Sequence, residues 1–186
     1  MNCFKIYLRN AFASFFDGIP SYLLLSIGVV LIIGIIVSFL RIGGKKAGRL
    51  SAGILLVEYL VLILSSAVLF RETGIDRDCS FTPFASYALL FDRDKAVVVE
   101  IIINTLAFMP IGFLLGCAVK NMKWWKVAIF AFGFSLTIEL LQLAFSKGIT
   151  ELDDVFHNTI GALIGYGIYS LSASLKRMVE RIARKT

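Results

Sequence analysis

The chain has 186 residues, of which 58% are hydrophobic and only 17% charged, with a mean hydropathy of +0.84. That composition leaves too little polar surface to cover a soluble core of this size, so a bilayer is the expected solvent. The net charge of +6 is not arranged as a basic stripe interleaved with stacking aromatics, and no nucleic-acid partner is expected.

In chain order, residues 1–19 carry Phe4, Ile6, Leu8, Phe12, Phe15 and Phe16 beside Lys5, Arg9 and Asp17, a pattern for an interfacial helix ahead of Pro20. The apolar run that follows is too long for a cleaved signal peptide and shows no clear small-residue cleavage site. Five stretches, at about 21–40, 50–70, 97–119, 124–145 and 155–175, approach the ~20 apolar residues that span ~30 Å of hydrocarbon. Hydrocarbon offers no partner for backbone polar groups, and no stretch alternates with the two-residue period of barrel strands. The expected fold is all-α, a polytopic membrane helix bundle with about five transmembrane helices, read as a single membrane domain. The segment 71–96 is long enough for a further interfacial helix around residues 84–91.

Orientation is read from Lys and Arg. One membrane face receives Arg41, Lys45, Lys46 and Arg49, then Lys120, Lys123 and Lys126, then Lys176, Arg177, Arg181, Arg184 and Lys185. The other receives Lys5, Arg9, Arg71, Arg77, Arg93, Lys95 and Lys147, spread through segments rich in Asp and Glu. The positive-inside bias then puts the N-terminus outside and the C-terminus in the cytoplasm. Cys117 falls in a span, whereas Cys3 and Cys79 share the outer side, where a disulfide and two free thiols both fit.

The polar residues inside apolar stretches carry the functional signal. Glu58, Glu100, Asn104, Glu139, Gln142 and Asn158 lie where ionisable and amide side chains are costly unless they face a bundle interior or a wet cavity. Glu100 and Asn104 are four apart, Glu139 and Gln142 three apart, and Asp154 and Asn158 four apart, so each pair shares one helix face. Glu139 sits six residues before Phe145, about 9 Å below the outer end of its helix, and Asn104 at a similar depth in the preceding one. With the third span running inward, the fourth outward and the fifth inward, all three pairs reach one outer level and are expected to line a common cavity. Gly161 and Gly165 form a small-xxx-small pair suited to close helix approach, and Pro110 with Gly112 is expected to interrupt and kink the third span.

Blander readings stand beside these. Thr150 to Asp153 fits a capping box, and the acids there favour a helix N-terminus. Asn104, Gln142 and Asn158 also suit plain interhelical hydrogen bonds of ~0.6 kcal/mol each. A carboxylate as deep as Glu139 must bind a proton or find a donor. His157 follows Asp153 by four residues, too few donors to specify a metal, and no cofactor is implied. Glu58 has no evident partner in the sequence.

The ordered motifs Thr82-Pro83-Phe84, NTLAFMPIGF from Asn104 to Phe113, IELLQL from Ile138 to Leu143 and ELDDVFHNTIGALIGY from Glu151 to Tyr166 resemble the VanZ-like family over residues 71–169. The resemblance implies a multi-pass protein of the bacterial cytoplasmic membrane and a link to resistance to the glycopeptide antibiotic teicoplanin. It marks Pro83, Asn104, Pro110, Gly112, Glu139, Gln142, Asp154, Asn158 and Gly161, with Glu151 and Asp153 as weaker acidic matches. Where the family often has an arginine before the fifth span, this chain has Ile149 after Gly148, so a cation that pairs with the buried glutamate or holds an anionic headgroup must be another, such as Arg71 or Lys147, or that activity is lacking.

The functional expectation is an outer-leaflet cavity of Asn104, Glu139, Gln142, Asp153, Asp154 and Asn158. It would bind a lipid-linked cell-wall precursor or an acyl-tailed lipoglycopeptide such as teicoplanin. A different class is an enzyme on a lipid headgroup with Glu139 as general base and Asp153 or Asp154 orienting water, but there is no nucleophilic serine motif or phosphate loop. A small transporter would call for repeated halves or paired broken helices, and only one span holds an internal proline. The sequence sets no oligomeric state.

Overall fold

The structure is a computed structural model, and it describes residues 44–69, 79–80, 95–145 and 150–184. The expected first span at 21–40, the interfacial segment at 1–19, the segment around 84–91 and Pro83 lie outside the described residues.

Among the described residues, four α-helices make the fold. α1 is Gly44–Leu64 and runs directly into a π-turn, Ser65–Leu69. α2 is Lys95–Ala118, α3 is Trp124–Phe145 and α4 is Leu152–Ala183. Two short strands, β1 (Cys79–Ser80) and β2 (Thr150–Glu151), pair in parallel with Cys79 opposite Thr150 and Ser80 opposite Glu151. The fold is an all-α membrane bundle, as the apolar runs require.

Among the described residues, three helical stretches, Lys46–Val68, Ile101–Ala118 and Trp124–Phe145, are long and apolar enough to cross a membrane. α4 is longer still, at 32 residues, but is not among them. Asn158, Tyr166, Tyr169, Ser170, Ser172 and Ser174 dilute its apolar content. The helices also overrun the expected spans: α1 begins at Gly44 and α4 extends to Ala183, because Lys and Arg are good helix formers and need no hydrocarbon to stay helical. Hydroxyls on the helix surfaces bond backward to their own backbone, as Thr137 does to the Gly133 carbonyl and Thr159 to that of Val155.

Pro110 does not interrupt α2, which runs unbroken through it. Proline removes the N–H that would meet the Leu106 carbonyl. The next carbonyl, that of Ala107, accepts a hydrogen bond from the Tyr59 hydroxyl of α1 at 2.9 Å, tying α1 to α2 beside the proline. The connection between α2 and α3 is tight: Asn121 takes a positive φ of 55°, a conformation asparagine tolerates better than most residues. The Tyr166 hydroxyl of α4 reaches the Met122 carbonyl in that turn at 2.6 Å.

α2 packs against α1 on one side and α4 on the other, and α3 packs mainly on α4. Leu56 and Ile63 of α1 and Val68 of the π-turn meet Phe108, Ile111 and Leu115 of α2 and Val127, Ala131 and Ile138 of α3, with Ala162 of α4 between them. The contact of α2 with α4 is the closest. A Cβ on Gly112 would collide with the Ala162 carbonyl, one on Gly161 with the Thr105 carbonyl, and one on Gly165 with the Met109 carbonyl. Small residues at such a crossing let backbones touch, which matters in lipid because apolar burial does not drive one helix against another there.

Gly161→Ala and Gly165→Ala should each lower stability in detergent by about 2 kcal/mol, since the colliding atoms are rigid backbone. Gly167→Ala, with nothing within 4 Å of the new methyl, should be neutral or stabilising. Thermal or steric-trap unfolding checks this, and equal effects at positions 161 and 167 would contradict the seam.

Candidate functional site

The polar residues of the spans gather at the end of the bundle where α2 and α4 begin and α3 finishes. On α3, Ser135, Glu139 and Gln142 follow one another at four- and three-residue steps and so lie on one face, and all three are buried. On α4, Asp154 and Asn158 share one face, and Asp153 and His157 share an adjacent one. Asp153, His157 and Asn158 are buried, while Asp154 is half-buried.

Side-chain hydrogen bonds cross between helical segments here. Asn104 Nδ2 of α2 donates to Asp154 Oδ1 of α4 at 2.7 Å. One turn further along α4, Asn158 Nδ2 donates to Ser135 Oγ of α3 at 2.7 Å. Gln142 Nε2 of α3 donates to the Ala67 carbonyl in the π-turn at 3.1 Å. Ala67 lies in the last turn of that helical segment, where carbonyls have no intrahelical partner and can accept from a side chain. Glu139, 5% exposed, is partnered, as are Asp153, Asp154 and His157. Asn158 Oδ1 is buried and accepts no hydrogen bond among the described residues, which leaves one acceptor inside the cluster for an incoming donor.

Asn104 and Asp154 are thus in direct contact, and Asn158 joins them to α3. Gln142 is turned toward α1 instead of toward Asp154. The expected capping box at Thr150 to Asp153 is displaced: Thr150 lies in β2, α4 starts at Leu152, and Asp153 and Asp154 are both acids of its first turn. That position still favours negative charge at the helix N-terminus, by about 0.5 kcal/mol each. The side chains of Glu100 and Glu151, and residues Arg71, Lys147, Gly148 and Ile149, lie outside the described residues.

Ser135 was not among the expected site residues, although it stands four residues before Glu139 on the same face. Glu58 belongs elsewhere: it lines an open groove of about 520 Å³ with Arg49, Leu50, Gly53, Ile54, Val57 and Ala118, toward the Lys-rich end, and its Oε2 is buried without a hydrogen-bond partner among the described residues. Among the described residues, no three His, Cys, Asp or Glu side chains are placed to hold a metal ion. The cluster offers carboxylates and amides as acceptors, and its chemistry suits a ligand that brings donors such as amines, amides or hydroxyls.

Residues 52–173 match the VanZ/LLP1 family, about two thirds of the chain. "Protein VanZ" of Enterococcus faecium is 37% identical over 73 residues, which is 39% of this chain and 45% of that protein. The chain thus spans under half the length of that curated relative. No solved structure matches.

A double-mutant cycle of Asn104→Ala and Asp154→Ala should give a coupling of about 1 kcal/mol, near the upper range for interhelical bonds in membranes because one partner is a carboxylate. Unfolding in detergent measures it, and a coupling under ~0.3 kcal/mol would mean that the bond contributes nothing measurable.

Proposed function

This chain belongs to the VanZ/LLP1 family, and from that premise we propose that it is a multi-pass protein of the bacterial cytoplasmic membrane that binds an amphipathic ligand at the outer leaflet. The ligand class is a lipid-linked cell-wall precursor or an acyl-tailed glycopeptide such as teicoplanin, and binding lowers susceptibility to such antibiotics. The observation that carries this reading is the gathering of Asn104, Ser135, Glu139, Asp153, Asp154 and Asn158 from three helices at one end of an otherwise apolar bundle. Polar groups are expensive in hydrocarbon, and a set larger than helix packing requires is typical of a site that receives a polar group from outside.

The orientation follows from the two ends of the molecule. Lys46, Arg49, Lys120, Lys123 and Lys126 stand at the end opposite the cluster, and exposed Trp124 and Trp125 stand beside them, with the Lys126 ammonium 5.5 Å from the centre of the Trp125 ring. Aromatic residues next to basic ones mark a membrane interface, and the basic end faces the cytoplasm. The acidic end then faces outward, where cell-wall precursors are displayed and where glycopeptides arrive. At that end the acyl part of a ligand has apolar helix surface to lie on, at exposed Leu106, Leu140, Phe145 and Phe156. Its amide and hydroxyl donors meet the half-buried carboxylate of Asp154.

Glu139→Gln and Asp154→Asn proteins, expressed at the parent's level, should lose teicoplanin protection, with sensitivity rising on the order of tenfold for one lost charge-assisted contact. Protection equal to the parent's in both variants would refute the site. Topology has a separate check. With Cys3 and Cys117 replaced by alanine, an impermeant thiol reagent should label Cys79 on intact cells, and labelling only after lysis would invert the orientation.

A further inference from the structure

α4 outruns the bundle. Gly116 of α2 lies against the Tyr169 ring, so the end of α2 at Ala118 comes level with about Leu171. Residues 172–183 therefore project on the order of 18 Å beyond it. Within the projection the side chains separate cleanly by the helical period. Leu171, Leu175, Met178, Val179 and Ile182 lie along one face, each at least half exposed. Lys176, Arg177, Arg181 and Arg184 lie on the opposite face, with Glu180 the single acid among them. Arg177 Nη2 donates to Ser174 Oγ at 2.9 Å, which keeps that guanidinium along the helix instead of bridging to another element.

A solitary helix of about a dozen residues is marginal in water, and an apolar stripe of this length calls for a cover. The stripe continues the face that carries exposed Ile160, Ile164 and Ile168, the face that meets lipid if α4 crosses the bilayer. Charge decides what covers the rest. A second copy of the chain would set four cations against four more with one acid on each side, whereas an anionic bilayer surface has the opposite sign.

We infer that residues 171–184 form an interfacial anchor that binds the phosphates of anionic phospholipids, with Leu175, Met178, Val179 and Ile182 seated at the acyl boundary and the four cations reaching the headgroups. The inference rests on the bundle reading above only in that α2 and α4 lie in a bilayer, and it adds a function at the opposite end from the polar cluster. In this arrangement α4 tilts so that its long apolar face stays in lipid.

The test places the full-length protein, one copy per disc, in nanodiscs of phosphatidylcholine with and without phosphatidylglycerol, and follows amide hydrogen exchange of residues 176–183. The expected result is slower exchange, on the order of tenfold, when phosphatidylglycerol is present, with each basic residue near an anionic surface contributing roughly fivefold in binding. That difference should vanish in high salt and in the variant carrying Lys176→Gln, Arg177→Gln, Arg181→Gln and Arg184→Gln. Equal exchange in the two lipids overturns the anchor, and so does protection that appears only with two copies per disc, which would assign the stripe to self-association. The α2 amides in the same samples keep the two readings apart: protected α2 with an indifferent tail removes the anchor alone, while freely exchanging α2 removes the bundle.

Discussion

The close approach of α2 and α4 governs the rest of the structure. Lipid gives two helices no hydrophobic reason to meet, so their adhesion depends on how much surface they bring into van der Waals contact. Gly112, Gly161 and Gly165 each abut a carbonyl of the facing helix, which brings the two backbones together over several turns. α1 then attaches through Tyr59 at the Ala107 carbonyl, and α3 attaches through Asn158 and Ser135. Without the seam, Asn104 and Asp154 have no common surface on which to meet.

α4 forms the centre of the bundle together with α2, and its composition follows from that position. It is too polar to count among the apolar spans, yet its buried polar side chains face other protein and not lipid: Asp154 toward α2, Asn158 toward α3 and Tyr166 toward the turn at Met122. A helix face packed on protein tolerates polarity that a lipid-facing one cannot. α2 and α3 are the more apolar helices, with Leu106, Phe113, Ile129, Phe130 and Phe132 exposed on their surfaces. The two ends of the bundle thereby acquire different chemistry, acids and amides at one and lysine, tryptophan and a basic helical tail at the other. That polarity links family membership to a reading of function: a ligand with donors and an acyl part suits the first end, and an anionic surface suits the second.

Among the described residues, helix content and approximate helix positions were legible in the amino acids, because hydropathy along the chain reports where each apolar run begins and ends. α3 occupies 124–145 as expected, since Lys123 precedes it and Ser146-Lys147-Gly148 follows it. Glycines at 161 and 165 likewise declared a close crossing before any partner was known. Which neighbour each polar group would meet was not legible, because depth fixes height in the membrane but not the direction in which a helix turns its face. Asn104 and Asp154 were expected at one level and do meet. Gln142 was expected in the same group and instead donates to the Ala67 carbonyl, in the last turn of the helical segment that continues α1. Ser135 drew no notice, since a serine costs little in an apolar helix that can bond it internally. From the residue order alone come an all-helical membrane bundle and its family; the azimuth of each helix, and with it the pairing of Asn104 with Asp154 and of Asn158 with Ser135, exists only once the glycine seam has set α2 against α4.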